Sequence, residues 1–183
     1  MRDATARCLR DAFCSESMSH VRYLIFAGHA QDEAFPGTSR LFRAFALAKY
    51  LRASELYFLS RDMLENPAVN ANSYFILERT IDHLIKAKDM EALSVKEVFE
   101  PYYAVASSEA ESAAMKCLDK SIMISRIIVN TIDPLLQQLK HMDEEPSIGD
   151  IYLCSICGFI ALDQPPEACP CCNSSAENYI LVV

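Results

Sequence analysis

The chain has 183 residues, of which 51% are hydrophobic, and a formal net charge of -8. This length allows one full domain and one small one, and the acidic balance argues against nucleic acid as a partner, because phosphate binding requires clustered lysine and arginine. No apolar run is long enough to span a bilayer, and the polar segment 1–10 does not have the pattern of a signal peptide, so we expect no membrane partner.

Residues 1–142 have the periodicity of helices throughout. In the first helix one face recurs at alternating steps of three and four residues: Leu9, Ala12, Glu16, Ser19, Tyr23 and Phe26. A turn at 35–37 follows, and Thr38 or Ser39 is the predicted N-cap of the second helix. The seam of that helix comprises Phe42, Phe45, Lys49, Arg52, Leu56 and Leu59, and Asn66–Pro67 is predicted to end it.

A third helical region is predicted from Asn72 to Ala106, with a break near Ser94 or Pro101. Ser108, followed by Glu111, has the pattern of a capping box for the last helix, whose apolar residues run from Met115 to Ile132. Two helix pairs separated by a connector predict a mainly α fold, an antiparallel four-helix bundle.

The pattern changes after the polar linker 143–149. Residues 150–183 contain two predicted short strands, Ile151–Leu153 and Tyr179–Val183, which flank a group of cysteines. A region of this size cannot fold by apolar burial alone, so a bound metal ion must form its core.

The cysteines of this region form two Cys-x-x-Cys pairs with eleven residues between them. Two such turns that face each other place four thiolates tetrahedrally around one ion. The predicted ligands are Cys154, Cys157, Cys169 and Cys172. Cys171 lies inside the second pair, where it is either a redox thiol or a small filler.

The other three cysteines, Cys8, Cys14 and Cys117, are scattered through helical sequence. That layout fits reduced thiols better than a disulfide framework, and it predicts a reducing, cytoplasmic compartment.

The C-terminal motif resembles the rubredoxin-like module of rubrerythrins. The matching residues are Tyr152, then Cys154-x-x-Cys157-Gly-Phe-Ile, then Pro165-Pro-Glu-x-Cys169-Pro-x-Cys172, then Tyr179. The first helix is similar as well, because Glu16, followed by Arg22 and Tyr23, matches the segment in which a glutamate binds iron in that family. The resemblance implies a ferritin-like four-helix bundle followed by a rubredoxin-like domain, and a homodimer in which the small module can lie against the partner's bundle.

The resemblance does not extend to the residues that bind the two irons in the helical bundle of the family. Rubrerythrins typically hold two irons between glutamates and Glu-x-x-His pairs, but this sequence contains no Glu-x-x-His. Aligned without gaps from Glu16, the second-helix glutamate falls on Lys49 and its histidine on Arg52, while the last-helix pair falls near Ser125 and Ile128. Two cations at these places would repel iron, so we expect the bundle to lack the di-iron centre.

Charged residues in a seam are costly unless they are paired. We therefore expect Glu16 to form a buried ion cluster with Lys49 and Arg52. Rotation of the helices, or side chains that reach the surface, would be the alternative.

Four thiolates bind iron or zinc. The resemblance favours one iron, and hence an electron-transfer protein that serves a redox partner protein; zinc remains possible and would give a zinc-stabilised interaction protein. A third possibility is a rubrerythrin-type di-iron peroxidase with a rearranged site from Glu16, His20, Glu91, Glu97 and Glu100.

Overall fold

The computed structural model describes residues 1–61, 78–139 and 145–183. Its helices are α1 (Asp3–Asp32), α2 (Pro36–Ser60), α3 (Thr80–Ser94), α4 (Glu100–Ser108) and α5 (Ser112–Leu139). A π-helical turn, Val95–Phe99, joins α3 to α4, so these two helices form one rod. The four rods confirm the predicted helical bundle.

The seams predicted for the first two helices are the buried faces of α1 and α2, except that Leu59 is only half-buried. All six seam residues of α1 are buried, from Leu9 to Phe26. Tyr23 and Phe26 on α1 pack against Phe42 and Phe45 on α2, with ring centroids of contacting pairs across the two helices 5.5–6.0 Å apart. The same faces carry Glu16, Lys49 and Arg52 into the interior.

The start of α2 differs from the prediction. Thr38 and Ser39 lie inside the first turn, and the N-cap is Phe35, which makes no side-chain cap hydrogen bond. Pro36 fits the start of the helix because its fixed φ suits the first turn. The Glu145 carboxylate accepts hydrogen bonds from the backbone N–H groups of Gly37 and Thr38, at 2.9 and 2.5 Å, and so replaces the expected cap.

Two further helix boundaries also depart from expectation. The predicted break near Ser94 is a change to π-helical hydrogen bonding, without an interruption of the rod. Ser108 does not cap α5, because it is the last residue of α4 and its hydroxyl donates to the Val105 carbonyl at 2.8 Å. The predicted end of the second helix at Asn66–Pro67 and the predicted start at Asn72 lie outside the described residues.

The C-terminal module is a three-stranded antiparallel sheet of β1 (Ile151–Cys154), β2 (Ile160–Leu162) and β3 (Tyr179–Leu181), in the order β2-β1-β3. Ile151, Leu153 and Ile160 belong to the same hydrophobic core as the α2 residues Leu41 and Ala48. The small module therefore packs directly on α2 of its own chain.

No helix in the described part of the chain combines the length and the apolarity that a bilayer span requires.

Candidate metal centre

The four predicted ligands lie on two turns of matching geometry. In the first, the Gly158 N–H donates to the Cys154 carbonyl at 2.8 Å, and Gly158 has a φ of 85°. In the second, the Asn173 N–H donates to the Cys169 carbonyl at 2.8 Å, and Asn173 has a φ of 60°. Glycine and asparagine are the residues that accept this left-handed conformation most readily, so both turns can present their sulfurs in the same way.

The sulfur positions fit a single tetrahedral ion. The Sγ atoms of Cys154, Cys157, Cys169 and Cys172 lie within 4.8 Å of one another. The Cys154–Cys172 and Cys157–Cys169 sulfur pairs are 3.7 and 3.5 Å apart. Four sulfurs at about 2.3 Å from one ion would be about 3.8 Å apart, so little movement is needed to bind it. Among residues 1–61, 78–139 and 145–183, this is the one group of His, Cys, Asp or Glu side chains so arranged.

One hydroxyl group and two aromatic rings surround the sulfurs. The Ser174 hydroxyl lies 3.2 Å from the sulfurs of both Cys154 and Cys172, and the rings of Phe159 and Tyr179 pack against the cluster. Hydrogen bonds to coordinating sulfur stabilise the negative charge of the site. Ser174 was not singled out from the sequence, although a hydroxyl two residues after the last ligand is a usable signal.

Cys171 does not join the four sulfurs. It is half-buried and lines a cleft of about 690 Å³ between the module and the bundle, together with Glu55 on α2 and Lys120 on α5. A hydrogen bond with Cys157 lowers the pKa of its thiol, burial opposes that effect, and the charge of Arg52 adds to it.

A separate charged cluster occupies the centre of the bundle. The Lys49 ammonium lies 2.8 Å from Glu16 Oε2 and 2.7 Å from Glu91 Oε2, and all three side chains are at most 2% exposed. Lys49 Nζ also donates to the Ser125 hydroxyl at 3.1 Å, and Glu91 accepts a hydrogen bond from the Tyr23 hydroxyl at 2.5 Å. One ammonium thus bridges two buried carboxylates, in the expected pair with Glu16 and in a second pair with Glu91.

The pKa values in this cluster reflect burial and pairing. Burial raises the pKa of Glu16, although Lys49 opposes this. Burial disfavours charged Lys49, but Glu16 and Glu91 outweigh that penalty and raise its pKa. The pKa of Tyr23 lies well above its usual value, first because of burial and then because of the charge of Glu91. The lysine is therefore held as an ammonium ion.

Arg52 does not pair with Glu16 as expected. Its Nη2 atom lies 2.5 Å from Glu55 Oε2, one turn along the same helix, and Glu55 Oε1 lies 2.7 Å from Lys120 Nζ. The single cluster predicted from Glu16, Lys49 and Arg52 does not form. Lys49 pairs with Glu16, and Arg52 pairs separately with Glu55. The three-residue spacing of Arg52 and Glu55 is the signal that was missed, because it places both side chains on one helix face.

The rearranged carboxylate site is not assembled in the structure. Glu16 and Glu91 come together, but Lys49 lies between them. The His20 ring donates through Nδ1 to the Ala46 carbonyl at 2.8 Å. Glu97 and Glu100 are exposed and pair with surface cations, Lys96 at 3.6 Å and Arg126 at 2.9 Å.

Comparison with protein families agrees with this architecture. The rubrerythrin family model matches residues 7–123, and the model of the rubrerythrin rubredoxin-like domain matches residues 152–180. The chain is 29% identical to rubrerythrin-2 of Clostridium acetobutylicum over 175 residues, covering 96% of this chain and 95% of the relative. It is 24% identical to nigerythrin of Nitratidesulfovibrio vulgaris over 179 residues, covering 96% and 85%.

Solved structures show the same fold. Nigerythrin in its mixed-valence state superposes with a TM-score of 0.83 at 21% identity, covering 99% of this chain and 88% of that chain. An open-pore ferritin from Archaeoglobus fulgidus gives a TM-score of 0.68 at 13% identity, covering 79% and 90%. The rubredoxin-like match and the four clustered sulfurs support iron in the tetrathiolate site. The chain belongs to the rubrerythrin family.

Proposed function

We propose that this chain is an electron-transfer protein that holds one iron in its tetrathiolate site and has no di-iron centre in its bundle. The observation that carries the proposal is the position of Lys49, whose ammonium lies within 2.8 Å of carboxylate oxygens of both Glu16 and Glu91. These two carboxylates are the groups that would otherwise attract a cation to the centre of the bundle.

The Lys49 ammonium provides positive charge beside the two buried carboxylates, so a metal ion is not needed for that purpose. Buried carboxylates are costly without a nearby positive charge, and Lys49 places one ammonium at hydrogen-bonding distance of both. An iron ion directed at the same oxygens would be repelled by that charge. The Ser125 hydroxyl, which the alignment places near a family ligand, is engaged by Lys49 as well.

Too few ligands remain for two irons. A di-iron carboxylate site draws on glutamates from each helix together with Glu-x-x-His pairs, and its ligands must all face one another. Here the matching second-helix positions carry Lys49 and Arg52, and Arg52 is paired with Glu55. The peroxidase chemistry of a di-iron site therefore lacks its ligands in the described part of this bundle.

The tetrathiolate site supplies the redox function. An iron ion held by four thiolates accepts and returns single electrons. Cys172 is its most exposed ligand, while the other three are buried, so an electron would enter or leave on the Cys172 side. We assign the donor or acceptor to a redox partner protein, and we place the chain in the cytoplasm as a homodimer.

In this account the parts of the chain have distinct roles. Residues 1–142 form the scaffold for docking and dimerisation, 143–149 the linker, and 150–183 the redox module. The contact of the module with α2 supports a role for the bundle in holding the redox site, since the two share one hydrophobic core.

A redox titration with a peroxide assay tests the proposal. The full chain, loaded anaerobically with ferrous iron, should show one reversible one-electron couple in its visible spectrum and no catalytic consumption of hydrogen peroxide. The variant Cys172→Ser should lose the tetrathiolate spectrum, and the matched variant Cys171→Ser should keep it. Catalytic turnover of peroxide by the wild-type chain would overturn the proposal.

A further inference from the structure

Arg52 is a buried cation on α2, the helix that shares a hydrophobic core with the metal module. Its side chain is 0% exposed, and its Nε and Nη1 atoms have no hydrogen-bond partner among the described residues. Glu55 is its ion-pair partner, but Glu55 is one-third exposed and shares its carboxylate with Lys120. The positive charge of Arg52 is therefore only partly neutralised.

The position of Arg52 on α2 places it against the module. Ala48, Arg52 and Glu55 follow one another at spacings of four and three residues, so they lie along one face of the helix. At one end of this face, a Cβ added to Gly158 would lie 3.0 Å from Ala48 Cα, so the first cysteine turn touches the helix. At the other end, Glu55 lines a cleft with Cys171 of the second turn.

Arg52 thus lies on α2 between Ala48, which the first cysteine turn touches, and Glu55, which faces the cleft that Cys171 of the second turn also lines. A fixed cation in a poorly solvated position affects a nearby charged centre more strongly than one in water, because the effective dielectric constant is lower.

Building on the proposed electron-transfer function, we infer that Arg52 is a positioning residue that raises the reduction potential of the iron tetrathiolate centre. An external one-electron donor converts the iron(III) tetrathiolate, with a net charge of -1, to the iron(II) form, with a net charge of -2. No bond forms or breaks, and no proton moves. The extra negative charge is stabilised by the nearby guanidinium, so Arg52 favours the reduced state.

The test is a potentiometric titration of the iron-loaded full chain, followed by its visible spectrum. A unit charge roughly 10 Å away, at an effective dielectric constant of about 20, changes the ratio of reduced to oxidised centre by roughly tenfold. Arg52→Met should therefore lower that ratio about tenfold at a given potential, which is a shift of about 59 mV for one electron. Arg52→Lys, which keeps the charge, should stay within about threefold of wild type.

Two further variants separate charge from packing. Glu55→Gln removes the counter-charge of Arg52 and should shift the ratio in the opposite direction, toward the reduced centre. If Arg52→Met does not fold, Arg52→Gln, which removes the charge but keeps hydrogen-bond donors, takes its place and should lower the ratio in the same way. The matched control is Arg126→Met on α5, which removes an exposed arginine paired with Glu100 and should leave the potential unchanged.

The outcomes distinguish this inference from the function on which it rests. A wild-type centre without a reversible couple would overturn both. A reversible wild-type couple that neither Arg52→Met nor Glu55→Gln moves would overturn the inference alone, as would equal shifts in Arg52→Met and Arg52→Lys.

Discussion

The ammonium of Lys49 lies 2.8 Å from a carboxylate oxygen of Glu16, with both side chains 1% exposed. The pair links α1 to α2, which also pack together through aromatic rings. The same ammonium also pairs with Glu91 on α3, so it connects three helices of the bundle. One ammonium group thus holds carboxylates from two different helices together.

Removing the ammonium should destabilise the bundle strongly. Lys49→Met leaves Glu16 and Glu91 buried without a counter-charge, and breaking such a pair costs about 3–5 kcal/mol in the free energy of unfolding. Chemical denaturation at neutral pH measures this loss. Lys88→Met is the matched control, because Lys88 pairs with Asp133 on the surface at 2.5 Å and its removal should change little.

The stability lost in Lys49→Met should return when the carboxylates of Glu16 and Glu91 are removed as well. The triple variant Lys49→Met, Glu16→Gln, Glu91→Gln carries no buried charge at this place, so it should recover most of the lost stability. A triple variant as unstable as Lys49→Met would show that the ammonium contributes through packing rather than charge.

Exchange of the cation for a carboxylate should create a metal site. Lys49→Glu places a third carboxylate beside Glu16 and Glu91, and carboxylate oxygens suit Mn²⁺ and Fe²⁺. We expect this variant to bind one additional Mn²⁺ per chain, and its melting temperature to rise with Mn²⁺ concentration. The control Lys49→Gln, which adds no charge, should gain much less; equal Mn²⁺ binding by the two variants would contradict the account.

The free energy of unfolding should decrease at alkaline pH because of Tyr23 and Lys49. The folded-state pKa values of Tyr23 and Lys49 are raised above 10.0 and 10.5, their ordinary values. A raised pKa gives stability that is present below the ordinary value and is lost as the pH rises toward the folded value. Stability should therefore decline above pH 10, and Tyr23→Phe should show a shallower decline.

The same variant should be less stable at neutral pH. Tyr23→Phe leaves a buried Glu91 oxygen without its donor, which costs about 1–3 kcal/mol. Urea unfolding at several pH values measures both effects. Tyr57→Phe changes an exposed ring and should follow the wild-type curve; a Tyr23→Phe curve parallel to wild type above pH 10 would contradict the prediction.

Two glycines should respond in opposite ways to alanine. Gly158→Ala must place a Cβ 3.0 Å from the α2 backbone at a φ of +85°, so it should lower the stability of the metal-bound chain by at least about 1–2 kcal/mol. Gly28→Ala adds a methyl group in a helix with nothing within 4 Å, and it should stabilise by about 0.5–1 kcal/mol. Thermal unfolding of both metal-loaded variants checks the signs, and equal effects would contradict the contact with α2.

The helical faces and the four ligands could be read from the sequence because they depend on spacing. The period of three and four residues identified the buried face of α1, including Glu16. The pairing of Lys49 with Glu16 was predictable as well, because a buried cation on one seam requires an anion on the facing seam.

The ion-pair partner of Arg52 could not be predicted from spacing in the same way. A buried arginine can turn to a facing helix or along its own, and the position of Glu55 one turn away decides the outcome. The contact between Gly158 and Ala48 was also beyond prediction, because it joins two modules whose relative placement leaves no periodic pattern in either. The cap that Glu145 provides for α2 could not be predicted for the same reason, because Glu145 is 108 residues from Gly37 in the sequence.

The iron content of the full wild-type chain tests the central claim most directly. After anaerobic loading with excess ferrous iron and removal of unbound metal, the chain should retain one iron, bound by Cys154, Cys157, Cys169 and Cys172, with the spectrum of a tetrathiolate. Retention of three irons per chain would contradict the account, because two of them would have to occupy the bundle where the Lys49 ammonium lies.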